Sequence, residues 1–165
     1  DRLYINDIDS FARVRDVNHA MYAHLLNKSG YLNLLENVIQ IALEEILGEK
    51  FHKEDHGGEI NDLYTTRLMV NGERRATAFM LKGRGLKKNV MELGDCGNNG
   101  DQVLRLFDSP AELFVIQFVG TVAENVIRDA ESKVVLRRSQ GKRVWYMVMD
   151  GEDTAQVLYA YGKIK

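Results

Sequence analysis

The sequence reads as an α/β chain built on a mixed central β-sheet, with a β-hairpin, flanking helices and an extra helical segment at its N-terminus. Three observations predict this. Asn71-Gly72, set between two runs of strand-like residues, is a strong hairpin signal. Residues 113–119 (Leu-Phe-Val-Ile-Gln-Phe-Val) form a short, β-rich, almost wholly apolar run, as expected of a strand covered on both faces. Downstream of the hairpin, helical and strand periods alternate, which implies a mixed sheet with helices on both sides.

Taken in order, the first thirty residues read as helical. Phe11, Val14, Val17, Met21 and Leu25 recur at helical spacing before Asn27 to Gly30 interrupts it. A second helix is expected over 31–47, with Leu34, Leu35, Val38, Ile39, Ala42, Leu43 and Ile46 as its apolar stripe and Gly48 as its stop. Residues 51–58 are polar and irregular. The period then changes. Leu63, Thr65, Arg67 and Met69 fall on one face of a strand, and the returning strand covers about 76–82. A long loop over 87–100 leads to a helix of about two turns capped by Asp101 and ended by Pro110. After the apolar strand come a helix over 122–132, a strand over 144–149, a break at Asp150-Gly151, and a last helix over 154–161 capped by Asp153. The expected division is a helical extension, 1–30, and one α/β domain, 31–165.

The bulk properties bound the function. A chain of 165 residues makes one domain with a sizeable core. No apolar run approaches the roughly 20 residues that span a bilayer, so no membrane partner is expected. Cys96 is the lone cysteine, which excludes an internal disulfide and a multi-cysteine zinc site and points to a reducing, cytoplasmic setting. No signal peptide is apparent, and the start at Asp1 rather than Met leaves room for upstream residues. The net charge of −2 does not announce a nucleic-acid binder. Two local groups could contact phosphate if each fell on one face: Arg74, Arg75, Lys82, Arg84, Lys87 and Lys88, and then Lys133, Arg137, Arg138, Lys142 and Arg143. Solvated surface is the plainer reading of both.

Three places could carry chemistry. Glu36 lies near the apolar stripe of its helix, where an acid is costly unless paired or bound to a metal. Gly57-Gly58-Glu59-Ile60-Asn61-Asp62 brings an acid to the start of a strand after a tight turn. Phe79-Met80-Leu81-Lys82-Gly83 ends an apolar strand on a lysine. Each also has an ordinary reading, as a stripe-edge carboxylate, a solvated turn and a snorkelling lysine. Gln117 either lines a site or is a hydrogen-bonded core amide. Gln102 and Arg105, near a helix start, could meet phosphate.

Together, Glu36 on a helix, Asp62 after a Gly-rich turn and Met80-Leu81-Lys82 closing the next strand resemble the PD-(D/E)XK nuclease superfamily, and within it the Mrr-type restriction endonuclease domain. The run from Leu113 into a helix, and Val148-Met149-Asp150-Gly151-Glu152-Asp153, are similar to that family's later units. The resemblance spans about 31–165. It implies a restriction-endonuclease-like core and a Mg²⁺- (or Mn²⁺-) dependent nuclease hydrolysing phosphodiester bonds in DNA, in restriction, defence or repair. In that reading Asp62 and the residue at position 80 hold the metal, Glu36 holds a second metal or an outer water, and Lys82 is the catalytic cation. Arg84, Lys87, Lys88, Gln102 and Arg105 are its nucleic-acid contacts. A homodimer would supply the two sites that cutting a duplex requires. Target choice would lie in a separate recognition domain or subunit.

Met80 departs from the Glu or Gln of that pattern, and a thioether is a poor partner for Mg²⁺. Three explanations stay open: Glu59 supplies the missing oxygen, Asp62 with Glu36 and water suffices, or the domain is catalytically weak or dead, the last fitting a nuclease-like fold that binds nucleic acid or a partner protein without cutting. Strand register offers a check. With an unbroken ladder behind a two-residue turn at Asn71-Gly72, Asp62 opposes Leu81 and points away from Lys82. The nuclease reading therefore requires a three-residue loop, or a bulge elsewhere in the hairpin.

Overall fold

The computed structural model describes residues 1–50 and 60–165. Its sheet holds five strands: β1 (Arg2–Leu3), β2 (Leu63–Val70), β3 (Glu73–Lys82), β5 (Leu113–Phe118) and β7 (Trp145–Met149). Their spatial order is β1-β7-β5-β3-β2. The hairpin strands β2 and β3 are antiparallel, whereas β3, β5, β7 and β1 run parallel. The sheet is therefore mixed, as expected. Two further short strands, β4 (Val90–Met91) and β6 (Thr121–Val122), pair beyond its carboxyl edge. The helices are α1 (His19–Tyr22), α2 (Glu36–Leu47), α3 (Asp101–Phe107), α4 (Glu124–Ser139) and α5 (Gly151–Ala160). No helix among the described residues is long and apolar enough to cross a membrane.

Every residue of β5 is buried, so both faces of the sheet are covered. Phe114 stacks on Phe107 of α3 with ring centroids 4.4 Å apart, while the Gln117 amide donates to Thr154 of α5 at 3.2 Å. Even-numbered residues of β5 thus face α3, and odd-numbered ones face α5. In-register pairing of Met80 with Ile116 and Lys82 with Phe118 puts Met80 and Lys82 on the α3 side. Thr65, which pairs with Thr77 and so lies on the α5 side, donates to Glu49 just beyond α2 at 2.6 Å. Hence α2 and α5 share one face, and α3 and α4 share the other.

The first thirty residues depart from the expected helical extension. They make 3-10 turns over Ile5–Asp7 and Asp9–Asp16, the single turn α1, and strand β1 of the main sheet. Ile8, Phe11 and Val14 are buried in the common core, while Met21 is exposed. The physical reason lies in Asn6, Asp7, Asp9, Ser10, Asp16 and Asn18, whose short polar side chains compete with a helical backbone for hydrogen bonds.

Three other boundaries differ. Helix α2 begins at Glu36 rather than at 31, because 30–35 is drawn straight across the carboxyl ends of the parallel strands. Leu32 N–H donates to Val119 O at 2.8 Å, and Arg84 N–H donates to Leu34 O at 2.8 Å. Helix α4 continues to Ser139, past the expected end at 132. Asp150, rather than Asp153, caps α5; its side chain accepts from Asp153 N–H at 2.9 Å, and Asp153 returns the bond from position N3.

Candidate active site

The hairpin sets the site's register. Asn71 and Gly72 both take positive φ (50° and 80°), the left-handed pair that a two-residue turn demands. Val70 then pairs with Glu73, and Leu68 with Arg75. Next to these the ladder slips. Thr65 pairs with Thr77, so Thr66 and Arg67 together oppose Ala76. The slip replaces the expected face of Leu63, Thr65, Arg67 and Met69 by the buried set Leu63, Thr65 and Leu68. Beyond Leu63–Phe79 the shifted register continues to Asp62 opposite Met80, on the Lys82 side of β3. Asp62 is anchored there: its N–H donates to Phe79 O at 2.9 Å, and its Oδ2 accepts from Leu81 N–H at 2.8 Å. A two-residue turn and a bulge thus coexist, the second of the two arrangements that the nuclease reading requires.

Lys82 ends β3 at the mouth of a cleft of about 570 Å³, whose lining includes Leu35, Glu36, Gln40, Gly83 and Leu86. Glu36 reaches this cleft as the first residue of α2, and Gln40 lies one turn further on. Glu36, Gln40 and Glu44 recur every four residues, so a polar stripe of α2 runs from the cleft to the buried Gln40–Glu44 contact at 3.4 Å. Gly83 makes the juxtaposition possible. A Cβ there would lie 2.7 Å from the Leu35 carbonyl carbon and deep inside contact with Glu36 N.

Gln117 proves to be a core amide that steadies this edge. It is fully buried, accepts from Lys82 N–H at 3.1 Å and donates to Thr154. On the α3 side the Lys82 ammonium acts on Asp95 and Cys96. Asp95 is held below the usual carboxylate range by its hydrogen bond from Lys88, helped by Glu92 N–H and by Lys82. Burial pushes the Cys96 thiol up to about 11, against the pull of Lys82. Asp95 and Gln40 carried no pattern in the sequence, although the four-residue step from Glu36 to Gln40 was available.

The expected phosphate contacts disperse. Arg84 is exposed, with Nη1 on Asn33 Oδ1 at 3.3 Å, and Lys87 is exposed beside it. Lys88 pairs with Asp95 at 2.7 Å. Gln102 and Arg105 sit half-buried on α3 outside the cleft lining, with Arg105 3.8 Å from Asp101. Glu59 and the Gly57-Gly58 turn lie outside the described residues. Among the described residues, no three His, Cys, Asp or Glu side chains gather as a metal-holding group. Asp62, on the α3 side of β3, is not among the residues that line the cleft, whereas Glu36 is; each is a hard oxygen donor of the kind that a Mg²⁺ keeping most of its waters takes one or two at a time.

A second acidic group stands at the same end of the sheet, at the start of α5. Burial, and then the charge of Asp150, push the Asp153 carboxyl up to about 7. An acid whose pKa is raised by folding holds its proton in the native state, so stability is lost as pH rises from about 4 through about 7. Asp153→Asn keeps an acceptor for Asp150 N–H without the charge. Its melting temperature should match the wild type near pH 4 and exceed it at pH 8. A stability difference that does not change with pH would contradict this assignment.

No protein-family model, no curated protein and no solved structure matches the chain.

Proposed function

We propose that this chain is a metal-dependent nuclease domain that hydrolyses phosphodiester bonds in DNA. The observation that carries the reading is the hairpin bulge, which turns Asp62 to the side of β3 bearing Lys82 while α2 delivers Glu36 to the same strand end. The cleft opens at the carboxyl ends of the parallel strands, where α/β sheets place their ligands. A bound Mg²⁺ would neutralise phosphate charge and supply an activated water, with Asp62 and Glu36 as its protein oxygens. The Lys82 ammonium would orient the phosphate and stabilise the charge that develops on it. The bonds from Lys82 N–H to Gln117, and from Leu81 N–H to Asp62, keep these side chains in register.

Met80 favours a second reading. It is 3 % exposed and places sulfur where hard oxygen would serve a Mg²⁺. A chain of this shape that binds nucleic acid without cutting it would have the same cleft.

Incubation with plasmid and single-stranded circular DNA in Mg²⁺ and in Mn²⁺ separates the two. Cleavage is expected, and Lys82→Ala should reduce it by about 10²-fold or more without lowering the melting temperature. Asp62→Ala should act likewise. Undiminished cleavage by Lys82→Ala overturns the nuclease reading, and tight binding without any cleavage establishes the second.

A further inference from the structure

Resting on the nuclease reading, we infer that the substrate strand in this cleft is single-stranded or locally unpaired DNA, not an intact duplex. Two independent features carry this: how few cations are left to meet phosphates, and the apolar walls of the cleft.

A protein that grips a duplex commonly neutralises several phosphates, on the order of six to ten. Beside the cleft, Lys82, Arg84 and Lys87 form no ion pair with any carboxylate among the described residues. Lys88 and Arg105 are committed to Asp95 and Asp101. Three of the five downstream basic residues are likewise occupied. Lys133 pairs with Asp129 and Arg138 with Asp1, while the Arg137 guanidinium caps the Phe107 and Lys133 carbonyls. Arg75 is held between Glu73 and Glu112. Arg74, Lys142 and Arg143 are exposed, but they lie near the start of β3 and just before β7, at the opposite end of the strands from Lys82. Among the described residues, Lys82, Arg84 and Lys87 are thus the cations beside the cleft left clear of carboxylates, fewer than a duplex grip uses.

The walls fit an unpaired nucleotide instead. Leu35 occupies the N-cap of α2, makes no side-chain cap there and stays 42 % exposed. Helix ends prefer Ser, Thr, Asp or Asn at that position. Leu86 forms part of the lining, with Gly83 and Gly85 before it. Apolar surface beside a lysine and a glycine-lined turn suits a base and sugar with one phosphate, and stacked, paired bases do not offer those faces.

The test uses the full chain in EDTA, so that nothing is cut, with labelled oligothymidylate and a blunt duplex of equal length. The single strand should bind about tenfold tighter or better, with a slope of log K against log salt near −2, as about three phosphate contacts require. Lys87→Ala should weaken binding and flatten that slope by about 0.7. Leu35→Ser should weaken single-strand binding about fivefold, leave the slope unchanged and raise the melting temperature by about 2–4 °C, because serine caps the helix. That opposition of affinity and stability is not expected of a purely structural leucine. Duplex binding as tight as single-strand binding, with a slope steeper than about −4, overturns the inference and leaves the nuclease reading standing. Failure of both DNAs to bind overturns the inference, and the cleavage assay in Mg²⁺ and Mn²⁺ decides the nuclease reading separately.

Discussion

Gly83→Ala is expected to unfold the chain more readily by about 3 kcal/mol and to abolish cleavage, while Gly85→Ala, two residues on, leaves stability unchanged. The backbone of Gly83 is extended (φ −100°, ψ −164°), a conformation open to any residue, so the cost is not backbone strain. It comes from the neighbour. An alanine Cβ would drive into Glu36 N and the Leu35 carbonyl carbon, backbone atoms at the first turn of α2. They cannot yield as a flexible side chain would. Either the helix start retreats, taking Glu36 from the Lys82 edge and straining the Arg84–Leu34 bond, or β3 gives up its end pairing. At Gly85 an added Cβ meets nothing within 4 Å. Thermal melts should separate the two variants by roughly 6–12 °C. Equal melting temperatures would mean that the strand end and the helix start do not depend on one another. Residual cleavage by a folded Gly83→Ala protein would remove Glu36 from the mechanism.

The contact between Gly83 and Glu36 also shows where sequence reasoning reached and where it stopped. The hairpin turn, the buried strand β5 and the alternation of helix and strand were legible because each rests on local chemistry: the φ values open to Asn-Gly, unbroken apolar character, and period. The bulge was legible only as a requirement. Its trace is the loss of alternation at Thr66-Arg67, two successive exposed residues between buried Thr65 and buried Leu68. Arg67 and Met69 sit at the right spacing for a regular strand and disguise it. The start of α2 was hidden for another reason. Residues 31–35 carry helical periodicity, but Val119 O and Arg84 N–H claim their backbone from elements far away in sequence. Which basic residues are spoken for was hidden because ion pairing is tertiary: nothing local marks Lys88 for Asp95. Glu36, Asp62 and Lys82 stood out in the sequence, whereas Asp95, beside Lys82 on the α3 side, did not.

Met80→Glu should expose the nature of the site most directly. Position 80 is 3 % exposed, on the same side of β3 as Lys82 and opposite Asp62 in register. A carboxylate there has little water to solvate it, so the variant should lose about 2–4 kcal/mol of stability in EDTA at neutral pH. If Asp62 and position 80 face a common cation, Mn²⁺ binds only the folded form, and near 100 times its dissociation constant it returns about 2.7 kcal/mol. The variant's melting temperature should therefore climb steeply with Mn²⁺, and the wild type's only slightly. Cleavage should rise with it, since hard oxygen replaces sulfur. Met80→Leu supplies the control: close in volume and donorless, it should cost less than about 1.5 kcal/mol and leave both the metal response and the activity of the wild type unchanged. Were Mn²⁺ to stabilise all three proteins equally, the cation would lie away from Met80, and Asp62 would serve only to close the end of the hairpin through Leu81 N–H. Were it to stabilise only Met80→Glu while none of the three cuts DNA, the wild-type chain would hold the geometry of a nuclease with its metal chemistry removed by one thioether.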